Sequence, residues 1–553
     1  MRWPLILAAA ALVATGLASP GAAAVDRPDA CKAASGMGTI DQWRSGVVID
    51  PVSKSPIAIG TTDIDWTANP QSNPSWLIQL HGLVWVRGLI ENYRKTGNER
   101  SLEIALAVMR DHINDTAANP AIAREAWRPH PAALRLSTYA CLAHALQGKM
   151  EFPVDLDAQL QRHVAWHLTP SNYRTNHNHG LMQNLAVMHV GCARGRLDWI
   201  DSAWGRVRSE IAAVVDEQGA NNEQSAWYAL YNTRKWNTAV DAVTGCADGL
   251  AMAETVTQIR DALGRLLAFN QQSTQPDGLL APIGDTYADL RGVLTMPGQN
   301  LTTVYNAGWA FGRSAWDDPN ALYWTARYGP SRIKHGHFDH LSVTHYVDGG
   351  RALVDSGHAG FDAGALRTRL LSAAAHNSPA VVGQTPDAKS VATLSNPVIT
   401  PTRTTLTLTD KAYGVTRTRF LLADSPSKVL VTRDTVERGS VRVPWHVAPG
   451  LGAEVPGPGT TVLTGRPTVT IVQFDALTCT PIGQQFTEVD IATGWRSLAR
   501  SIRIDTVGKD VVSVIAPGRA TVSCVPGTAT AATVTVTGSA GSTAFTVNGR
   551  GLS

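Results

Sequence analysis

Hydrophobic and polar positions follow a helical period through the first half of the chain. Apolar residues three or four positions apart form one helical stripe: Leu102, Leu106, Met109 and Ile113. Residues 76–94 repeat the pattern and are followed by Gly97, a typical helix C-cap. Further helical stretches cover residues 131–148, 156–167, 180–193, 201–216, 223–233 and 247–269. Many helices joined by short loops predict an α/α array, either a solenoid or a closed toroid.

The pattern changes to a period of two after about residue 315. Residues 405–409, 468–472 and 533–537 alternate threonine with β-branched or apolar residues, which predicts strands. Gly/Pro clusters such as residues 456–459 separate them, and Asn548-Gly549 is a hairpin turn signal. No convincing helical pattern interrupts this half. The sequence therefore predicts helices first and a large antiparallel sandwich second.

Composition narrows the class of protein. The 553 residues are 44% hydrophobic and 17% charged, which indicates several folded domains and excludes general disorder. A formal net charge of +3 argues against a nucleic-acid partner, because such proteins concentrate basic residues on one surface. No feature of the sequence predicts an oligomeric state.

The N-terminus predicts export. Arg2 precedes an apolar run over residues 5–17, and Ala22-Ala23-Ala24 is a small-residue cleavage site. Residues 1–24 are therefore interpreted as a signal peptide, with a secreted or periplasmic mature protein. The run is too short for a membrane anchor, and no later segment is apolar enough to insert into a membrane.

Export permits disulfide bonds among the six cysteines. Six cysteines allow about 15 pairings, and the spacing does not choose among them. Four cysteines lie in the helical half and two in the strand half, so Cys479–Cys524 is the least arbitrary pair. No CxxC spacing suggests a cysteine zinc site.

Two polar clusters lie in the helical half. Residues 176–179 hold two asparagines and two histidines just before a helical run. An asparagine there is often only a cap, but four such polar residues are costly to bury unless they bind something polar. The second cluster, residues 223–231, carries aromatic residues at helical spacing, which alone predicts core packing.

The third cluster is His335-Gly336-His337-Phe338-Asp339-His340, followed by Asp355 and His376. In a strand, His335 and His337 would point to the same side. Neighbouring strands could add Asp355 and His376, which gives a His/Asp/His set suited to zinc. The competing interpretation is a surface histidine patch.

The same segment matches the HxHxDH signature of metallo-β-lactamase-fold hydrolases. In that reading His335, His337, Asp339 and His340 would hold two zinc ions in a zinc-dependent hydrolase. That fold requires strands and helices to alternate around the motif. Here helices precede the motif and strands follow it, which argues against this alternative.

The order of these blocks resembles the heparinase II/III-like polysaccharide lyases, which include related alginate lyases. The matching pieces are Trp66, residues 76–85 and 93–97, Asn178-His179-Gly180, residues 223–228, Asp277-Gly278, residues 283–285, residues 335–339, residues 355–357, and His376-Asn377. The resemblance implies an N-terminal (α/α) toroid over residues 25–315 and a C-terminal antiparallel β-sandwich over residues 316–553. It also implies β-elimination at a uronic acid unit of a polysaccharide or oligosaccharide.

The resemblance also implies roles for individual residues. Asn178 is similar to the family residue that donates a hydrogen bond to the substrate carboxylate. His179 is similar to its base for one C5 epimer, and Tyr228 to its proton donor. His335 resembles the sandwich-domain histidine that faces the same carboxylate. The family's structural zinc ligands correspond to three residues: His337, Asp355 and His376.

Other features leave alternatives open. Phe361 stands roughly where several relatives have a tyrosine, which weakens any transfer of alginate specificity. Tyr231 lies three residues after Tyr228 and could face the same side. The 16 tryptophans would also suit a non-catalytic glycan-binding protein, although such a protein needs no acid and base. Glycoside hydrolysis needs paired carboxylates, and the Gly-rich context of Asp277 and Asp285 indicates a turn instead.

Overall fold

The computed structural model describes residues 31, 36–246, 253–294, 300–361, 364–527, 531–549 and 551–553. The predicted signal peptide, residues 1–24, lies outside these ranges. Within them, every helix is too short or too polar to cross a bilayer.

Helices dominate the first half of the described chain. They are α1 (Ile40–Arg44), α2 (Pro74–His81), α3 (Val86–Thr96), α4 (Glu99–Ala118), α5 (Pro120–Ala126), α6 (Pro129–Leu146), α7 (Val154–Leu168), α8 (Asn178–Arg194), α9 (Leu197–Val214), α10 (Ala226–Cys246) and α11 (Ala253–Gln272). A short hairpin, β1 (Val47–Ile49) with β2 (Pro56–Ala58), lies between α1 and α2. α6 is buried along almost its whole length, so it is an inner helix of the array.

One predicted helix is in fact two. Residues 76–94 divide into α2 and α3, because the backbone turns at Gly82–Trp85 and Leu83 adopts a φ of +52°. A Cβ at Gly82 would lie 2.8 Å from the Cβ of Leu134, so the turn brings the chain close against α6. Gly97 ends α3 in the left-handed conformation with a φ of 72°, as its predicted capping role requires.

Strands dominate the second half. They are β3 (Thr302–Tyr305), β4 (Trp309–Arg313), β5 (Tyr323–Arg327), β6 (Val343–Val347), β7 (Gly350–Leu353), β8 (Ala380–Val381), β9 (Thr393–Ile399), β10 (Arg403–Asp410), β11 (Arg417–Asp424), β12 (Val429–Val436), β13 (Val441–His446), β14 (Gly452–Gly457), β15 (Thr460–Thr464), β16 (Val469–Asp475), β17 (Gln484–Gly494), β18 (Ser497–Gly508), β19 (Asp510–Pro517), β20 (Thr521–Pro526), β21 (Ala531–Gly538), β22 (Gly541–Asn548) and β23 (Gly551–Leu552). One short helix, α12 (Ala365–Leu371), and a 3-10 turn, Ala373–Ala375, interrupt them.

The strands form four sheets in this half, and every pairing between named strands is antiparallel. Their orders are β3-β4-β5-β6-β7, then β14-β15-β16-β19-β12-β11-β10-β9, then β17-β18-β13-β8, and finally β20-β21-β22-β23. The three threonine-rich segments lie in β10, β16 and β21. A metallo-β-lactamase fold would contain parallel strand pairs. None occurs among these strands, so the sheets do not have that fold.

The five-stranded sheet joins the two halves of the molecule. One face, including Tyr305, Trp309 and Phe311, belongs to the core of the helical half, where Phe269 meets Trp309 edge-on at 5.5 Å. The opposite face, including Ala310 and Trp324, belongs to the core shared with the other sheets. Alternate residues of a strand point to opposite faces, so a single sheet supplies apolar side chains to both cores.

Three disulfide bonds tie distant segments together. Cys479–Cys524 is confirmed, and Cys31–Cys141 and Cys192–Cys246 complete the set. Cys192–Cys246 joins the end of α8 to the end of α10. Cys31–Cys141 fixes the N-terminal segment against the inner helix α6.

We expect the helical half to lose stability in mild acid. Burial lowers the pKa of His81, His130 and His189 from 6.5 to about 4. The unfolded chain binds protons below pH 6.5 and the native protein does not, so stability is full above this pH and falls as the pH approaches 4. Each histidine contributes a slope of about 1.4 kcal/mol per pH unit. Thermal unfolding at constant ionic strength should show Tm falling steeply below pH ~6; a Tm independent of pH there would contradict this.

Candidate active site

The four predicted catalytic residues come together from both halves of the chain. Asn178 and His179 open α8, Tyr228 lies in the first turn of α10, and His335 lies in the loop between β5 and β6. The Tyr228 and His335 rings stack in parallel, with centroids 3.4 Å apart and planes 4° apart. The His177 ring lies between the other two histidines, with centroids 4.6 Å from His179 and 6.4 Å from His335.

Tyr231 takes a different position from Tyr228. Its ring centroid lies 6.0 Å from that of Tyr228, and the Lys235 ammonium lies 5.4 Å from its ring. No ring contact joins Tyr231 to His335 among the described residues. Tyr228 is therefore the tyrosine that faces the sandwich-domain histidine.

Glu223 lies at the centre of the site, a role that the sequence alone does not predict. Its buried carboxylate accepts hydrogen bonds from the backbone N–H of Asn178 at 3.0 Å and from its Nδ2 at 3.2 Å. His335 Nε2 lies 3.5 Å from the same carboxylate. The Asn178 amide has a second N–H, which stays available to a ligand. Glu223 thus orients Asn178, the predicted hydrogen-bond donor to the substrate carboxylate.

Asp285 is the second buried carboxylate of the site. His335 Nδ1 lies 2.9 Å from Oδ2, and His337 Nε2 lies 3.1 Å from Oδ1. His358 Nδ1 lies 3.2 Å from Oδ1, and Arg367 donates to both oxygens. Burial alone would raise the pKa of Asp285, but hydrogen bonds from the three histidines hold it well below its usual range. The ionised carboxylate therefore fixes the orientation of the His335 ring, with its Nε2 on the side of Glu223.

The structure corrects the position of the histidine motif. Residues 335–340 form a loop and not a strand, so His335 and His337 do not share a strand face. They instead meet at opposite oxygens of Asp285. A Cβ at Gly336 would lie 2.2 Å from Oε1 and 2.9 Å from Cβ of Gln224, so a larger residue there would displace Gln224.

The three predicted metal ligands converge behind this carboxylate. Ligand atoms of His337, Asp355 and His376 all lie within 4.8 Å of one another, and all three residues are buried. His376 Nδ1 lies 2.6 Å from Asp355 Oδ2. His337 Nδ1 and His376 Nε2 have no hydrogen-bond partner among the described residues. Two free imidazole nitrogens beside a carboxylate are a donor set that fits zinc.

The other two residues of the HxHxDH signature are held elsewhere. Asp339 forms a buried salt bridge with Arg327, with Nε and Oδ2 3.1 Å apart. His340 Nε2 lies 2.9 Å from the Pro330 carbonyl oxygen. Neither belongs to the metal-ligand group, so these side chains do not form the two-metal site of a metallo-β-lactamase-type hydrolase.

Burial sets the proton affinity of the predicted acid and base. It raises the pKa of Tyr228 well above 10, and the negative charges of Asp285 and Glu223 add to the shift. Burial also lowers the pKa of His179 to about 2, together with the nearby histidines His130 and His177. Tyr228 is therefore protonated and His179 neutral at neutral pH. An anionic ligand beside His179 would raise its pKa and make it a better base.

A cationic cavity of about 270 Å³ opens beside His179. Its walls include His130, His177 and two arginines, Arg128 and Arg174. The His130 and His179 rings are 4.7 Å apart. These side chains favour an anionic group next to the predicted base.

Phe361 lies at the edge of the site. Its ring centroid is 4.7 Å from that of His358 and 5.7 Å from that of His335, and the Arg367 guanidinium lies 5.4 Å from the ring. A side chain without a hydroxyl therefore occupies the place beside His335.

Sequence reasoning missed four residues that contact the predicted set: Glu223, Asp285, His358 and Arg367. His358 directly follows the Asp355-Ser356-Gly357 segment, and Glu223 opens the segment that contains Tyr228, so both lay within segments already singled out. Asp285 was interpreted as part of a turn; Asp277 does lie in one, where it accepts the Leu279 N–H at 2.9 Å. Arg367 had no signal in the sequence.

Two family models match the chain and together span most of it. The model of the heparinase II/III N-terminus matches residues 47–305, and the heparinase II/III-like C-terminal model matches residues 296–543. The chain belongs to the heparinase II/III-like family. Both halves of the molecule are accounted for by this family.

Solved structures share the fold of this chain. A heparan sulfate lyase mutant from Pedobacter heparinus has a TM-score of 0.72 at 15% identity, covering 94% of this chain and 92% of its own. A heparinase III structure has a TM-score of 0.77 at 12% identity, covering 97% and 94%. This confirms the predicted fold, a helical toroid followed by an antiparallel sandwich. No curated protein matches the chain by sequence.

Proposed function

We propose that this member of the heparinase II/III-like family is a polysaccharide lyase that cleaves a uronic-acid-containing chain by β-elimination. The observation that carries the proposal is the Tyr228–His335 stack beside Asn178 and His179, with a cationic cavity adjoining. A site built for elimination needs an acid, a base and a group that neutralises the uronate carboxylate, and these side chains supply all three.

The proposed reaction begins at C5 of the uronate. Asn178 donates a hydrogen bond to the substrate carboxylate, and His335 donates a second from Nε2 when both of its ring nitrogens carry a proton, which makes the C5 proton removable. His179 takes that proton for one C5 epimer. For the other epimer Tyr228 takes it in the deprotonated tyrosinate form, which its raised pKa makes rare at neutral pH. The electron pair of the C5–H bond forms the C4=C5 double bond while the C4–O bond breaks. Tyr228 then gives a proton to the departing C4 oxygen. This is its own phenolic proton where His179 is the base, and the proton taken from C5 where Tyr228 is the base.

A panel of uronate polysaccharides tests the proposal. Glycosaminoglycans, alginate and bacterial exopolysaccharides are incubated with the protein, and the ultraviolet absorbance of the unsaturated product end is followed. We expect absorbance to rise with at least one polymer. New reducing ends without this absorbance would indicate hydrolysis, and binding without any cleavage would indicate a glycan-binding protein.

We further propose that His337, Asp355 and His376 hold a structural zinc ion. Zinc at this position would bind together three loops, which follow β5, β7 and the 3-10 turn. Because His337 also contacts Asp285, the metal would support the carboxylate that orients His335. The ion is not needed to contact substrate.

Zinc removal is expected to lower stability. Elemental analysis should find about one zinc per chain, and none in His376→Ala, because Nε2 of that side chain is a buried ligand atom. Chelation should lower the Tm of the unsubstituted protein by several degrees and leave that of His376→Ala unchanged. His340→Gln is the matched control, since His340 bonds to a backbone carbonyl outside the ligand group. Full zinc content in His376→Ala would refute the assignment.

We also propose that the protein is exported after cleavage near Ala24. The signal-peptide pattern supports this, and three disulfide bonds are typical of oxidising compartments. Fractionation of producing cells, with N-terminal sequencing of the mature chain, tests it. Recovery of the uncleaved chain from the cytoplasm would contradict it.

A further inference from the structure

A second polar cavity lies in the helical half, lined by residues that have no part in the proposed reaction. It has a volume of about 360 Å³ and lies between α4, α5, α6 and α7. The side chains that matter here are His112, Trp127, Arg135, Tyr139, Arg162 and His163. This volume is within the range of small-molecule sites.

Arg135 places an uncompensated charge in the wall of this cavity. The residue is 1% exposed, and no salt bridge joins it to a carboxylate among the described residues. It donates to His163 Nε2 at 2.8 Å and to the carbonyl oxygens of His81 at 2.7 Å and Ala126 at 2.9 Å. A guanidinium has five N–H groups, so two remain for a ligand.

Arg162 adds a second cation at the mouth. It is exposed, lies 4.9 Å from the Trp127 ring, and forms no salt bridge within the described ranges. Burial lowers the pKa of Arg135 to about 10, and the charge of Arg162 contributes, yet Arg135 stays charged at neutral pH. Glu125 and Asp155, the acids near this region, are paired with other arginines at 3.0 Å and 2.7 Å.

Tyr139 provides an independent indication of a ligand. Its side chain is 0% exposed, and its hydroxyl has no hydrogen-bond partner in the described part of the chain. The neighbouring His163 is satisfied, because its Nδ1 lies 2.7 Å from the Gln159 carbonyl oxygen. A buried hydroxyl without a partner is destabilising, and a polar ligand in the cavity would relieve this cost.

We propose that this cavity binds a carboxylate-bearing molecule of monosaccharide size, a hexuronate unit, with Arg135, Arg162 and Tyr139 as its hydrogen-bond donors. The two guanidinium groups match the carboxylate, and the tyrosine hydroxyl matches a sugar hydroxyl or ring oxygen. The choice of a hexuronate rests on the proposed lyase function; the anion preference rests on the cavity alone. The unit is either a free monosaccharide or the terminal residue of an oligosaccharide.

Calorimetric titration with D-glucuronate tests the proposal, and D-glucose serves as the uncharged control. We expect glucuronate to bind and glucose to bind at least ~10-fold more weakly, since a charged hydrogen bond is lost. Arg162→Gln should weaken glucuronate binding ~10-fold, and Tyr139→Phe about 3–10-fold. Arg208→Gln, an exposed arginine on α9, is the matched control and should bind as the unsubstituted protein does.

The same variants separate this cavity from the cleft. Glucuronate bound only in the cleft would lose affinity in His179→Ala and none in Arg162→Gln, which would overturn the proposal. Equal affinity for glucose and glucuronate, or no binding of either, would overturn it too and would indicate a water-filled cavity. These outcomes do not depend on whether any polymer is cleaved, so failure of the lyase proposal is seen separately.

A hexuronate-terminated oligosaccharide distinguishes the two sources of the ligand. It is titrated into Tyr228→Phe, in which turnover is suppressed. If Arg162→Gln in that background weakens binding of the oligosaccharide as much as binding of glucuronate, the cavity binds a chain end. If it weakens binding of glucuronate alone, the cavity binds the free sugar.

Discussion

Tyr228→Phe is expected to lower kcat by about 10²–10⁴-fold, the usual contribution of a positioned proton donor or acceptor. The substitution removes only the hydroxyl, and the ring that stacks on His335 at 3.4 Å remains. Because the lost interaction acts in the transition state, KM should change little. Initial rates of product absorbance on any polymer that is cleaved give both constants.

Tyr231→Phe is the matched control for this substitution. The two tyrosines lie in the same part of α10, but only Tyr228 stacks on His335. Tyr231→Phe should therefore retain nearly full kcat. Full activity in Tyr228→Phe with loss in Tyr231→Phe would move the proton donor by one turn of the helix. Full activity in both would refute the elimination mechanism as proposed.

Asp285→Asn is expected to impair both stability and turnover. The substitution keeps the shape of the side chain and removes the charge that pairs with Arg367 and orients His335. Breaking a buried ion pair costs about 3–5 kcal/mol, because the remaining charge loses its partner. Denaturant unfolding should show this loss, and kcat well below the Tm should also fall because His335 is no longer aligned.

Asp277→Asn is the control for the second prediction. Asp277 lies eight residues before Asp285, and its carboxylate accepts a local backbone hydrogen bond in an exposed turn. Its free energy of unfolding and kcat should stay close to those of the unsubstituted protein. If Asp285→Asn loses stability but keeps full kcat at low temperature, the carboxylate supports the fold and does not position His335.

Local patterns were enough to predict most of the architecture. A period of 3.6 identified the helices and a period of two identified β10, β16 and β21, because each period reports which side of an element is buried. The same reasoning joined α2 and α3 into one helix. The turn between them depends on how Gly82 packs against α6, a contact that no local pattern records.

The candidate site was only partly predictable for a related reason. Its histidines, asparagine and tyrosine stand in short recognisable segments, so the sequence named them, and the resemblance gave them roles. Their carboxylate partners were not recognised as partners, since Asp285 lies 50 positions from His335 and 82 from Arg367. Buried polar groups select partners through loop geometry, and loop geometry follows from packing between distant elements.

The sequence by itself therefore determined the elements, their order and the side chains available for chemistry, because these depend on residue type and local spacing. Only the tertiary structure decided which carboxylate each histidine contacts, that Asp339 pairs with Arg327 and not with a metal-ligand group, and that Tyr228 stacks on His335. Several of those contacts join the two halves of the chain, since Asp285 and Tyr228 come from the helical half and His335 from the strand half. There the distance between two atoms is set by the whole fold and not by their separation along the chain.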